Sequence, residues 1–295
     1  MQVSEQTLKD LEFPVILEKI SALAFHQDTS DRILKLTPYD NKDYLIQDLL
    51  TTNEYLSGFQ SENQIPFSEF HRMKEYLPLL EIENYYLNVE SFFQIKSNAL
   101  QIKEITAFFK KFHDYFPELS SLVSEVSYQK EIVDEINKVF NRHGEIKDNA
   151  SNNLAEIRKK IKLLSGEIAE LFNKAVRQNI EFLDEIKETI VDDRRVLAVN
   201  SAVRKRVKGR FLGTSKTGSI SYIEPQIIQQ PIRELEELKE EESKEIIKIL
   251  KALTEVIAIH KITLSDYEQL LEYLDFTRAK AKFALKINGC LPKLS

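Results

Sequence analysis

The chain has 295 residues, a formal net charge of −6, 42% hydrophobic and 30% charged residues, and only 7 glycines and 8 prolines. This length allows one large or two ordinary domains, and the few turn-forming residues favour long helices over a turn-rich β protein. Charges interrupt every apolar run before the roughly 18 residues that a membrane span needs, the polar start is unlike a signal peptide, and a single cysteine excludes an internal disulfide. We therefore expect a cytoplasmic protein without a membrane partner.

Residues 1–148 predict a helical core made of several medium-length helices. Apolar stripes at helical spacing begin at Leu8, Leu45 and Val89. Helix-breaking residues divide these stripes at intervals typical of helix–helix connections: Pro38, Gly58, Pro66, Pro78 and Pro117.

A heptad seam follows in residues 149–189 and predicts the ascending helix of a long arm. Its apolar positions alternate spacings of three and four: Leu154, Ile157, Ile161, Leu164, Ile168, Leu171 and Ala175. We expect one helix from about Ser151 to Lys187. A second apolar seam predicts the descending helix at 230–264, with Pro231 in its first turn and Ile259 on the seam. Helices of similar length can pair antiparallel within one chain, and residues 265–295 then return to the core.

The joining segment, residues 190–229, reverses the charge of the chain. The thirty residues from Arg194 to Ile223 contain no Asp or Glu and carry +8, which leaves −14 on all the others. The eight cations are Arg194, Arg195, Arg204, Lys205, Arg206, Lys208, Arg210 and Lys216. Such a concentration of positive charge favours a polyanion, and we predict that these side chains contact nucleic-acid phosphates.

The same segment predicts a small β element. Residues 195–200, 207–213 and 219–223 have the character of short strands, and Lys216-Thr217-Gly218 favours a hairpin turn. In the middle strand, Val207, Gly209 and Phe211 would share one face. The predicted fold class is mainly α: a helical bundle base, a long antiparallel two-helix coiled-coil arm, and a β-rich element inserted at its tip.

Two other interpretations of the basic segment remain open. The cations can be a solvated loop, or they can pair with the acidic run Glu240–Glu242 on the following helix. Because backbone charge does not separate DNA from RNA, structured RNA such as rRNA is an alternative target. A coiled-coil scaffold that binds a protein partner is an alternative function.

No pattern in the chain predicts catalysis, a metal site or a cofactor site. The histidines are far apart in sequence and form no metal-binding pair: His26, His71, His113, His143 and His260. The glycines from Gly209 to Gly218 are not followed by Lys-Ser or Lys-Thr, so they do not form a P-loop. The aromatic series from Phe108 to Phe116 predicts core packing.

Three sequence motifs resemble the MutS-type DNA mismatch-repair family, in particular its second bacterial branch. Arg206-Val207-Lys208-Gly209 with the stretch 215–225 (SKTGSISYIEP) is similar to the clamp signature of that family. The stretch 144–158 is similar to the start of its lever helix, and 274–285 to its return segment. The chain departs from the family pattern in the first clamp strand, at 193–200, and at Gly213.

The resemblance implies lever and clamp domains of a homodimer that encloses double-stranded or branched DNA. It assigns 149–189 and 230–264 to the lever, and 190–229 to the clamp. In that family the ATP and Mg²⁺ sites lie in a separate P-loop ATPase domain, which we expect to be missing from this stretch of sequence. We therefore expect a non-enzymatic DNA-binding region of a DNA-repair or recombination-control ATPase.

Overall fold

A computed structural model describes residues 4–293 of the chain. The fold is mainly helical with one small antiparallel sheet, which confirms the predicted fold class at that level. The chain divides into two compact units, one formed by residues up to 145 together with those from 250 onward, and one formed by 146–249. None of the helices described between residues 4 and 293 is long and apolar enough to cross a membrane.

The first unit is helical. Its helices are α1 (Glu5–Asp10), α2 (Phe13–Ser21), α3 (Gln27–Leu34), α4 (Lys42–Gln60), α5 (Val89–Lys111), α6 (Pro117–Ser124), α7 (Lys130–Val139) and, after the second unit, α10 (Lys261–Lys286). Two members of the aromatic series predicted to pack in a core, Phe109 and Phe116, are fully buried, and so is Phe92 on α5.

Buried charges hold α10 in this unit. The carboxylate of Asp275 is fully buried and accepts hydrogen bonds from the backbone N–H groups of Phe25 and His26, at 3.0 and 3.3 Å. Arg278 donates to Asp275 at 2.8 Å and to the carbonyl oxygen of Leu23 at 2.7 Å. Each charge is thus paired and hydrogen-bonded, which is the condition under which a buried charge is tolerated.

The second unit contains helix α8 (Asn152–Gln178) and the first part of α9 (Gln226–Ala258). Ser151 caps α8, since its hydroxyl accepts a hydrogen bond from the N–H of Leu154 and also donates to Glu245 of α9. Arg158, further along α8, donates to Glu242 at 2.7 Å.

The far end of α8 contacts the opposite part of α9. There, Phe172 and Ala175 pack in one cluster with Ile228. As residue numbers rise along α8, those of the contacting residues on α9 fall, so the two helices run antiparallel within one chain.

Four strands lie between these helices: β1 (Leu183–Val191), β2 (Arg194–Asn200), β3 (Gly209–Thr214) and β4 (Ile220–Pro225). They form one sheet in the order β1-β2-β4-β3, with every neighbouring pair antiparallel. Leu197, Val199 and Ile223 from one face pack on Phe172 of α8 and Ile228 of α9. Apolar burial between sheet and helices therefore holds the β element on this end of the helix pair.

The predicted helix from Ser151 to Lys187 was wrong at its C-terminal end. Helix α8 ends at Gln178, and residues 183–191 form β1, which the sequence did not predict. Phe182, Ile186 and Ile190 are four residues apart, and an even spacing of four fits both a helical face and alternate positions of a strand. In the structure Ile186 and Ile190 are 65% and 70% exposed, so this spacing marks no buried helical stripe.

The predicted second helix, from Pro231 to Leu264, was also wrong at both ends. Helix α9 begins at Gln226, which places Pro231 inside it, and ends at Ala258. Ile259, predicted on the seam, is 80% exposed in the turn before α10. The contacts of α9 with α8 extend from Ile228 to Glu245, while Leu250, Leu253 and Ile257 are buried in the first unit. The division into core, arm and tip domains stays a prediction.

Candidate nucleic-acid interface

The eight predicted cations fall into two groups in the structure, those with a carboxylate partner and those without one among the described residues. Arg194 begins β2 and lies beside two carboxylates: Nη1 is 3.1 Å from Glu224 and Nη2 is 3.2 Å from Glu236. Glu224 is only 2% exposed, so Arg194 neutralises a charge that has lost most of its water. Arg194 therefore serves the fold and is not a free cation.

Arg195 is also engaged within the unit. Its guanidinium donates to both carboxylate oxygens of Glu188 on β1 at 2.8 Å, and it lies over the ring of Phe172, 4.3 Å from the centroid. Both hydrogen bonds come from Nη2, and together with the ring contact they hold the guanidinium in place. Both arginines at the start of β2 are thus paired with carboxylates of the same unit.

The remaining cations have no carboxylate partner among residues 4–293. Arg204, Lys205 and Arg206 lie in a 3-10 helix, residues 201–206, that connects β2 to β3. Lys208 precedes β3 and Arg210 lies on it. All five residues are exposed. We call this group, residues 204–206, 208 and 210, the basic edge, because β3 is an edge strand of the sheet.

Gly209 explains why β3 can lie so close to β4. A Cβ atom at this position would be 2.6 Å from the Cγ2 methyl of Ile223 and would overlap the carbonyl oxygen of Glu224. Only a residue without a side chain fits this approach. The flanking Lys208 and Arg210 are then held on a strand that packs tightly against the sheet, rather than on a loose loop.

Lys216 lies apart from Lys208. It is in the turn between β3 and β4, where Gly218 has φ +74° and the Ser215 N–H donates to the Ile220 carbonyl at 2.9 Å. The predicted hairpin turn is therefore present. Because β3 has six residues and is roughly 17 Å long, Lys216 and Lys208 are at opposite ends of the strand.

The acidic run on α9 does not neutralise the basic edge. Glu242 pairs with Arg158 of α8, while Glu240 and Glu241 are exposed and make no ion pair with any described cation. The interpretation in which Glu240–Glu242 bind the basic segment is therefore not the arrangement found.

Two features of this surface were missed in the sequence. Phe211, predicted on a face with Val207 and Gly209, is 48% exposed although its β4 neighbour Ile223 is buried. Its ring lies 4.8 Å from the Cζ atom of Arg204. Arg206 and Lys208 also line a cleft of about 390 Å³ between the end of α8 and the start of α9. The sequence Gly209-Arg210-Phe211 on β3 gives no signal for either contact.

The described residues, 4 to 293, bring together no group of three or more His, Cys, Asp or Glu side chains that could hold a metal ion. The predicted absence of catalytic, metal and cofactor residues stays a prediction. The chemistry that the basic edge itself offers is the binding of anions by exposed ammonium and guanidinium groups.

Comparison with curated proteins shows what the chain resembles. It is 27% identical over 303 residues to the endonuclease MutS2 of Halothermothrix orenii, with 99% of this chain and 38% of that protein covered. It is 26% identical to the endonuclease MutS2 of Aquifex aeolicus, covering 98% and 38%, and 30% identical to that of Agathobacter rectalis, covering 98% and 37%. No protein-family model matches the chain.

These comparisons confirm the resemblance that the clamp-like motifs indicate, to the second bacterial branch of the MutS-type proteins. The similarity extends over nearly the whole of this chain, while the chain spans less than two-fifths of the length of those relatives.

Proposed function

We propose that this chain, which resembles part of the MutS2 proteins over nearly its whole length, is a DNA-binding region that holds double-stranded or branched DNA through the basic edge. The paired helices α8 and α9 would be the lever, and the sheet with the basic edge would be the clamp. The relatives are named endonucleases, and their names motivate the choice of DNA as the polyanion.

One observation carries the proposal. In a chain of net charge −6, five neighbouring cations remain exposed and unpaired with carboxylates among residues 4–293, although acidic side chains are abundant. Arg194 and Arg195 on the next strand are neutralised by internal carboxylates, so the fold can satisfy its cations where structure requires it. A positive surface kept free in this way supports contact with phosphates.

Binding of this kind has a defined dependence on salt. Each phosphate contact releases condensed counterions, so log K falls with log salt with a slope of about −0.9 per contact on B-DNA. Because phosphates carry no sequence information, the affinity should vary little among duplexes of different sequence. We expect the same basic edge to bind in the homodimer that the family resemblance implies.

The decisive experiment reverses two charges of the basic edge. Fluorescence anisotropy would measure binding of a labelled duplex by the chain and by the Lys208→Glu/Arg210→Glu variant at several salt concentrations. We expect weaker binding of all duplex sequences and a salt slope flatter by roughly 1.8, for two lost contacts.

Lys159→Glu/Lys160→Glu is the matched control. These exposed lysines lie on α8, make no ion pair within the described residues, and give the same change in net charge. The control should bind nearly as the unaltered chain does. Equal losses in both variants would mean that only total charge matters, and no loss in the first variant would overturn the proposal.

A second pair of ligands separates DNA from RNA. Duplex RNA has the same backbone charge but A-form geometry and 2′-hydroxyl groups. Preference for a duplex or branched DNA over duplex RNA of equal length supports the proposal. Preference for the RNA would support the alternative in which the basic edge binds structured RNA.

A further inference from the structure

Three arginines of the second unit lie over phenylalanine rings. The three pairs differ in how exposed the ring is and in whether the guanidinium has a carboxylate partner. Arg195 over Phe172 is held by Glu188, and Phe172 is 1% exposed. Arg206 over Phe182 is a loose contact at 5.8 Å, and that ring packs partly against the core of the sheet.

Arg204 over Phe211 is different in both respects. The guanidinium carbon is 4.8 Å from the ring centroid, Phe211 is 48% exposed, and Arg204 is exposed. Arg204 has no carboxylate partner within residues 4–293. The pair therefore presents a planar cation, laid on an aromatic ring, toward solvent.

Phe211 is not among the described side chains that pack in the core of the sheet. Phe211 stands opposite Ile223, which is 4% exposed and belongs to the core, yet about half of the ring remains outside that core. An exposed ring has a hydrophobic cost that a polar residue at the same strand position would avoid. Its immediate surroundings are the cations of the basic edge, which favour a ligand that is both anionic and flat.

We propose that an unpaired nucleobase stacks on the Arg204–Phe211 pair while the neighbouring cations of the basic edge hold the adjoining phosphates. Unpaired bases stack on aromatic rings and on guanidinium planes, and every base offers the required face. In a continuous duplex the faces of each base are covered by its neighbours. The pair thus gives the basic edge a preference for ends, gaps or branch points over uninterrupted duplex.

This inference rests on the proposed function, because a base reaches the pair only when the backbone is bound beside it. Its test therefore keeps backbone charge constant and changes the bases alone. The probes are a labelled single-stranded thymidine oligomer, an abasic strand of the same length, and a blunt duplex, each titrated with the full chain by anisotropy.

Three substitutions separate stacking from charge. Phe211→Ala removes the ring, and Arg204→Lys keeps the charge but loses the plane. We expect each to weaken thymidine binding about five-fold or more, in line with the loss of one stacked base, and to leave abasic binding within two-fold. Arg233→Lys is the control, at an exposed arginine of α9 outside the basic edge with no ring contact among the described residues, and it should leave both affinities unchanged.

Phe211→Trp supplies a direct readout, since the chain contains no tryptophan. Stacking of a base on the indole should quench its fluorescence when thymidine oligomer is added, and the abasic strand should not. Circular dichroism of each variant checks that the sheet is intact. A variant that loses the sheet is replaced by Phe211→Leu, which keeps an apolar side chain but cannot stack.

Two outcomes distinguish failure of this inference from failure of the proposed function. If Phe211→Ala and Arg204→Lys weaken thymidine and abasic strands equally, or if the tryptophan is not quenched, stacking is overturned while phosphate binding stands. If none of the probes is bound in a salt-dependent way, or the Lys208/Arg210 reversal changes nothing, the proposed function fails and the stacking inference fails with it.

Discussion

Two pairs of charged side chains, one pair in each unit of the molecule, have opposite roles. In the first unit, Asp275 and Arg278 are 0% and 4% exposed and are joined to each other and to backbone groups. In the second unit, Lys208 and Arg210 are exposed on an edge strand without a carboxylate partner in the described part of the chain. Asp275 and Arg278 thus support the fold, whereas Lys208 and Arg210 are available to the ligand that we propose.

The strongest test of this contrast is Arg278→Met. Removing the guanidinium leaves the carboxylate of Asp275 buried without its counter-charge, which costs about 3–5 kcal/mol when one partner of a buried pair is lost. Hydrogen exchange of amides in α10 and in the segment around Phe25 would report this loss in the free energy of unfolding of the first unit.

The double variant Asp275→Asn/Arg278→Met is the control, because it leaves no lone buried charge. It should be more stable than Arg278→Met alone. A double variant that is less stable than either single one would show that Asp275 acts through its hydrogen bonds to Phe25 and His26, with little contribution from the ion pair.

Two neighbouring arginines should differ in how much their removal lowers the stability of the second unit, and this effect should be smaller than that of Arg278→Met. Arg194→Ala leaves Glu224, 2% exposed, without its partner and should destabilise the second unit by about 1–3 kcal/mol. Arg195→Ala leaves Glu188 in solvent, so that ion pair should contribute less than about 1 kcal/mol. Thermal denaturation followed by circular dichroism would compare them, and equal losses would contradict the distinction drawn from burial.

Glu245 provides a test through pH. Hydrogen bonds from Asn153 and Ser151 lower the pKa of its carboxyl below the ordinary value of 4.5. A lowered pKa in the folded state adds stability that is present above the unfolded pKa and lost as pH falls through the folded value. The unaltered chain should therefore exceed Glu245→Gln in unfolding free energy near pH 6, and the gap should close below about pH 4.5. Urea titrations at both pH values would measure it; a constant gap would exclude ionisation as the cause.

The smallest effect on stability should come from the residues with the largest proposed effect on binding. Lys208→Glu/Arg210→Glu removes no internal ion pair among the described residues, so we expect a change within about 0.5 kcal/mol. The melting temperature of the variant should match that of the unaltered chain. A large drop would show that these cations support the sheet, and the contrast between the two units would then fail.

Much of the fold could be predicted from the sequence because it rests on local patterns. The heptad seam locates α8 with its start at Asn152, and the strands β2, β3 and β4 lie within two residues of their predicted bounds. Strand β1 could not be predicted, because its apolar residues are spaced as in a helix and its pairing with β2 is a tertiary contact. The break after Ala258 was missed because the apolar spacing continues through the turn.

The candidate site was predictable as a stretch of sequence but not as a surface. Charge alone places Arg194 and Lys208 in one group, and only the tertiary structure shows that Glu224 and Glu236 pair with Arg194 and that Lys208 has no carboxylate partner among the described residues. Likewise, alternation predicts the face on which Phe211 lies. It does not predict that β3 is an edge strand, where a residue on the core face still reaches solvent.

The position of β3 at the edge of the sheet also bears on self-association. An edge strand carries backbone N–H and C=O groups that can pair with the edge of a second copy, which is a route to aggregation. Lys208 and Arg210 place like charges on that edge in every copy, so two such edges repel one another. Neutral substitutions at these two positions would therefore remove a protection against edge-to-edge pairing, and charge reversals, which keep the repulsion, are the safer variants for solution work.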